Sequence, residues 1–162
     1  MLYDREKAVR YAVRWALGRN PQYYDYEKLG GDCTNFVSQC LYAGSGVMNY
    51  SKGLGWYYID ANNKSPSWTG VEFLRDFLVR EKGGPGPYAL EVDMGDIAPG
   101  DVIQLSFDGA RFSHSLFVVE TGQLRHVGDI LIASHSDDQL YTPLSTYDYR
   151  KIRYLHILGV NA

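Results

Sequence analysis

The chain has 162 residues, 45% of them apolar and 22% charged, with a formal net charge of −3. That is the size of one domain with a sizeable core, which excludes a mainly disordered chain and an enzyme carrying a separate cofactor module. The acidic balance and the absence of Lys/Arg runs leave no electrostatic footprint for a nucleic-acid partner, and no segment approaches the roughly 20 apolar residues of a membrane span.

In chain order, residues 1–10 are charged and lack the apolar stretch of a signal peptide. Asp4 to Leu17 reads as an amphipathic helix, with Ala8, Ala12, Trp15 and Ala16 at helical spacing, closed by Gly18 and Pro21. A tyrosine-rich loop from Asn20 to Leu29 leads to Gly30-Gly31-Asp32, flexible backbone ending in an N-cap type residue, and a short helix follows from Cys33 to a stop at Gly44. Seven residues at about 1.5 Å each place the backbones of Cys33 and Cys40 roughly 10 Å apart, beyond the reach of about 7 Å that a disulfide tolerates. Cys40 reads as a small buried side chain. Cys33 lies in the first helical turn, where free N–H groups and the helix dipole lower a thiol's pKa.

From Gly44 to Ser67 no clean period appears, so this stretch reads as a long ordered loop or lid. Its aromatic residues, with Trp56 and Trp68 foremost, either fill the core or line a substrate cleft. Helical spacing resumes from Thr69 to Leu78, and Gly83-Gly84-Pro85-Gly86-Pro87 breaks it. After Pro99-Gly100-Asp101 come strand-like runs at Val102–Ser106, Ser115–Glu120, Asp129–Ser134 and Ile152–Val160, joined without helical spacers. The sheet is therefore expected to be antiparallel and the fold α+β, with N-terminal helices packed on a C-terminal sheet in a single domain over residues 1–162.

His114 opens one strand and His135 closes the next. If Glu120 pairs with Asp129 across the hairpin, six steps back along the strands bring His114 opposite His135, about 5 Å apart at Cβ. A helix-terminal cysteine and a paired imidazole make a Cys/His nucleophilic site: His114 takes the thiol proton of Cys33, and a third residue holds the imidazole's tautomer. The Cys33 N–H, with Tyr26 as a weaker second donor, would hold the oxyanion. His126 reads as a solvated turn residue and His156 as a structural one. Cys33, His114 and His135 could also be taken as three zinc ligands, but no close-spaced ligand pair supports a metal, and no phosphate loop or Gly-x-Ser-x-Gly elbow is present. No cofactor is expected.

The run Gly30-Gly31-Asp32-Cys33-Thr34-Asn35-Phe36-Val37-Ser38-Gln39 resembles the signature of the putative amidase domain family, related to the papain-like NlpC/P60 and CHAP cell-wall hydrolases. Tyr3-Asp4-Arg5, Ser67-Trp68, Pro99-Gly100-Asp101, His114-Ser115 and Ser134-His135-Ser136-Asp137 stand in the family's order, so the likeness covers nearly the whole chain. The resemblance implies a papain-like fold, Cys33 as nucleophile, His114 as base and His135 as the polar third member, with Asp137 or Asp138 as alternatives. It implies a capping or dipole role for Asp32, and hydrolysis of amides in peptidoglycan or related wall peptides. Action at the wall would require export or membership of a longer protein. A non-catalytic module that binds wall glycopeptide on the same scaffold is the competing expectation, and it leans on the aromatic stretch from Trp56 to Trp68.

Overall fold

A computed structural model describes residues Met1–Ala162, beginning with two helices that cross at close range. Helix α1 (Arg5–Trp15) is capped by Asp4, whose carboxylate accepts the Lys7 N–H, and it buries Ala8 and Ala12 against α2 (Cys33–Ser45). The crossing needs a residue without a side chain on α2: a Cβ at Gly44 would stand 2.7 Å from the Asp4 carbonyl oxygen and from the Tyr3 ring. Gly44 therefore serves packing, and the helix stops at Gly46, which takes the left-handed conformation at φ 68°.

The stretch expected to be a long ordered loop or lid is ordered, carries short regular elements and packs inward. It holds a short hairpin, β1 (Tyr58–Asp60) and β2 (Asn63–Lys64), followed by α3 (Pro66–Thr69) and α4 (Val71–Leu78). Trp56 and Trp68 are fully buried, with ring centroids 4.7 Å apart, and their indole N–H groups donate to Ser38 Oγ and Asn35 Oδ1. Both rings belong to the core beneath α2, so neither lines a cleft.

Six further strands complete the chain: β3 (Gly86–Val92), β4 (Val102–Ser106), β5 (His114–Glu120), β6 (Leu131–Ser134), β7 (Gln139–Pro143) and β8 (Lys151–Asn161). They form one antiparallel sheet in the order β3-β8-β4-β5-β6-β7, which makes the fold α+β as expected. The two outer strands are the ones the sequence pattern hides. β3 begins in the Gly/Pro breaker, and an edge position tolerates Pro87, which cannot donate to a ladder. On one face, Val102, Phe117, Val119, Ala133 and Leu155 pack against the helices. On the other, Ile103, Leu105, Leu116, Val118 and Ile132 pack under the loops that carry Ile130 and Leu144. The central strands β4 and β5 are thus buried on both sides, which anchors the start of β5 rigidly against the first turn of α2. No helix is long and apolar enough to cross a membrane.

Candidate active site

The approach to α2 is set by Gly31 and Asp32. Gly31 adopts φ +102°, and a Cβ there would lie 3.0 Å from Ser136 Oγ, so only glycine lets this backbone come so close to the end of β6. The Ser136 hydroxyl oxygen accepts the Asp32 N–H at 3.0 Å. Asp32 itself does not cap the helix, contrary to expectation. Its buried carboxylate accepts from the Tyr26 N–H and from Asn35 Nδ2, both at 2.8 Å, and pairs with His135 Nδ1 at 2.6 Å. The three short contacts commit the carboxylate to these partners and not to the backbone N–H groups of the first turn.

His135 is consequently not the partner of His114. The hairpin register is offset by one residue from the expected one: Phe117 lies opposite Ala133 rather than Ile132, and the pairing is irregular between Val118 and Glu120. A one-residue slip sends every side chain to the other face. His135 therefore points to the helix side, where it stacks on Phe36 at 4.1 Å and is hydrogen-bonded through Nδ1 to Asp32 and through Nε2 to the Trp15 carbonyl, at 2.6 and 2.9 Å. The same slip brings Ser134 to His114, with Oγ 3.2 Å from Nε2, while the Ser134 hydroxyl donates to the His135 carbonyl at 2.7 Å.

Cys33 is flanked by two ties to these strands. On one side Asp32 is bound to His135, the neighbour of Ser134; on the other Thr34 Oγ1 meets Ser115 Oγ at 2.9 Å, the neighbour of His114. Ser115 in turn accepts from Gln104 Nε2 at 3.2 Å, and Gln104 Oε1 accepts from Arg153, which closes a polar chain across β4 and β8. Cys33 and His114 each keep a slim opening to solvent, 9% and 8% exposed, whereas Cys40 is sealed in the core. Both cysteines are free thiols.

Burial outweighs the helix end in setting the charge of the thiol. Loss of water pushes the Cys33 thiol up from its ordinary value; the Ser115 N–H and the Thr34 hydroxyl and N–H pull the other way, and the Asp32 carboxylate adds to the rise. Burial alone lowers His114 to about 4. At neutral pH Cys33 is therefore a thiol and His114 a neutral imidazole, not the depressed thiolate that the helix position by itself suggests.

The remaining expected residues lie elsewhere. The Tyr26 hydroxyl donates to the Ala61 carbonyl at 2.8 Å and is pushed up to about 12 by burial, so it is not free to receive an oxyanion. Asp138 forms a forked pair with Arg19 at 2.9 and 3.1 Å, and Asp137 is exposed in a left-handed turn at φ 67°. Neither carboxylate is the partner of His114. Because both nitrogens of His135 are taken on the opposite face of the sheet, Cys33, His114 and His135 do not converge as a ligand set, and no group of three or more His, Cys, Asp or Glu side chains does so elsewhere. His156 is structural as expected, bound to Asp101 at 2.6 Å, and His126 sits in an exposed turn. A surface groove of about 1030 Å³ runs along α1 beside Val9, Tyr11 and Tyr141 and contains neither Cys33 nor His114.

Ser134 and Tyr147 are the site residues that sequence reasoning missed. Tyr147 covers the imidazole with its ring centroid 5.8 Å away. Period-2 alternation from Ile132 would have assigned Ser134 to one face of β6, but only the irregular pairing decides which face meets His114.

The model of the putative amidase domain family matches residues 2–158 of the chain. Among curated proteins, it is 33% identical over 158 residues to the uncharacterized protein YhbB of Bacillus subtilis (strain 168), covering 91% of this chain and 49% of the relative. It is 28% identical over 150 residues to the uncharacterized protein YjcM of the same organism, covering 87% of this chain and 32% of the relative. The chain thus spans about half or less of these relatives' length. No solved structure matches.

Proposed function

The chain belongs to the putative amidase domain family, and on that premise we propose that it is a cysteine-dependent amide hydrolase with Cys33 as nucleophile and His114 as general base. The observation that carries this reading is the double tie around Cys33: Asp32 to His135 and Thr34 to Ser115 bind the first turn of α2 to the strand ends that hold Ser134 and His114. A helix-terminal cysteine whose first turn is tied to the start of a histidine-bearing strand of an antiparallel sheet is in keeping with the papain-like arrangement, and we assign the fold to that class.

In this mechanism His114 removes the Cys33 proton as the sulfur bonds to the substrate's carbonyl carbon. The oxyanion so formed is held by the Cys33 N–H, one of the first-turn donors that no intrahelical acceptor uses. Collapse breaks the C–N bond, and the imidazolium gives its proton to the departing amine. Water, deprotonated by the same imidazole, then hydrolyses the thioester to release the acid and regenerate the thiol. The substrate class proposed is the peptide amides of the bacterial wall, supported by the likeness of residues 30–39 to wall hydrolases. A glycopeptide-binding module has lost its main support, since Trp56 and Trp68 lie in the core.

The test is mass spectrometry of purified peptidoglycan and of its stem peptides after incubation with the wild type and with Cys33→Ala. New amine and carboxyl termini formed only by the wild type are expected. Equal cleavage by Cys33→Ala would refute the mechanism, and cleavage of peptides but not of intact wall would redirect the substrate class.

A further inference from the structure

Resting on the reading of Cys33 and His114 as nucleophile and base, we propose that Ser134 fixes the tautomer of His114, so that the orienting group of this site is a neutral hydroxyl instead of a carboxylate or an amide. The argument is a count of hydrogens. The Ser134 hydroxyl has one, and the His135 carbonyl oxygen 2.7 Å away can only accept, so the O–H points there. Toward His114 Nε2, at 3.2 Å, Ser134 then presents a lone pair. Nε2 must therefore carry the imidazole proton and donate, and Nδ1, which has no hydrogen-bond partner in the protein, keeps the lone pair that takes a proton from Cys33.

The hydroxyl cannot easily turn round. Its acceptor is the carbonyl of His135, whose ring is bound at both nitrogens and stacked on Phe36. The Tyr147 phenol sits beside the same hydroxyl, and its ring packs on the imidazole. Tyr147 is the titratable group packed on the imidazole, and its phenol also senses the Cys33 thiol. The nearby carboxylates are committed or exposed: Asp32 to His135, Asp138 to Arg19, and Asp137 in the turn. A neutral orienter stabilises an imidazolium less than a carboxylate does, so the resting pair stays uncharged and the ion pair forms only as substrate is attacked.

The tautomer can be read without turnover, from two-bond 1H–15N correlation of the 15N-labelled protein at neutral pH, with His114 assigned by its loss in His114→Gln. The wild type is expected to show the Nε2–H form. Ser134→Ala should lose that lock and lower kcat about tenfold or more, with Ser134→Thr keeping both. Ser134→Asp should hold the same tautomer and move the acid limb of the pH–rate profile upward by about one unit or more, as an adjacent anion favours the charged imidazole. An Nδ1–H form in the wild type overturns the proposal, as does a Ser134→Ala protein with unchanged tautomer and pH profile. If the wild type cleaves no amide, the hydrolase reading fails while the spectrum still decides the role of Ser134, and the wild-type spectrum suffices should Ser134→Ala not fold.

Discussion

Replacing His114 by Gln should make the protein less sensitive to mild acid, and the size of the effect follows from burial. The unfolded chain titrates this imidazole near 6.5, whereas the folded protein lowers it to about 4. Between those values the unfolded state binds the proton and the folded state does not, so falling pH favours unfolding. The stability that the neutral imidazole contributes is complete above about pH 6.5 and is lost progressively as pH falls toward 4. At pH 5 the two titrations differ by about 2 kcal/mol, and the full separation of 2.5 units corresponds to about 3.4 kcal/mol below pH 4. Urea unfolding of wild type and His114→Gln at pH 7.5, 6 and 5 measures it, since acid effects from the buried carboxylates are common to both proteins and cancel in the difference. The stability gap between the two should move in favour of the variant by about 2 kcal/mol between pH 7.5 and 5. A gap that does not change with pH would mean that His114 titrates alike in the folded and unfolded chain, and would refute the burial-lowered imidazole of the site.

Three further outcomes follow. Iodoacetamide should alkylate Cys33 slowly at pH 7 and faster with rising pH through 9, because its thiol is raised, while Cys40 reacts only on unfolding; a labelling rate that levels off below pH 7 would show a thiolate at rest. Trp68→Ala should cost about 3–5 kcal/mol of stability in denaturant unfolding, as expected for emptying a fully buried ring, and a loss below about 1 kcal/mol would return Trp68 to the role of a surface cleft residue. Asp32→Ala should destabilise by about 3–5 kcal/mol in the same assay, since it strips the acceptor from Tyr26 N–H, Asn35 and His135 at once; near-neutral stability would show that the tie beside Cys33 holds nothing in place.

Local features written in the chain proved sufficient for the helices and the inner strands, and they named Cys33 and His114 as the candidate pair. Helical spacing with a Gly-Gly-Asp approach placed Cys33 at the start of a helix, and apolar runs without helical spacers produced an antiparallel sheet. Edge strands β3 and β7 escaped because an edge needs pairing on one side only and tolerates the Gly and Pro that signal a break. Trp56 and Trp68 looked alike as cleft or core, since composition says nothing about which side of a ring another element will cover.

The partner of His114 was beyond sequence reasoning for a sharper reason. In Ser134-His135-Ser136 consecutive side chains alternate across the strand, so one irregular pair between Val118 and Glu120 exchanges the residue that meets the imidazole for its neighbour. The chain by itself determined which residues can do chemistry and on which elements they stand, because helix ends and strand periods are set by near neighbours. Only the tertiary structure decided that Ser134 faces His114, that His135 locks onto Asp32, and that the thiol is raised, because register and burial depend on segments separated in the chain by 20 residues in the first case and 103 in the second.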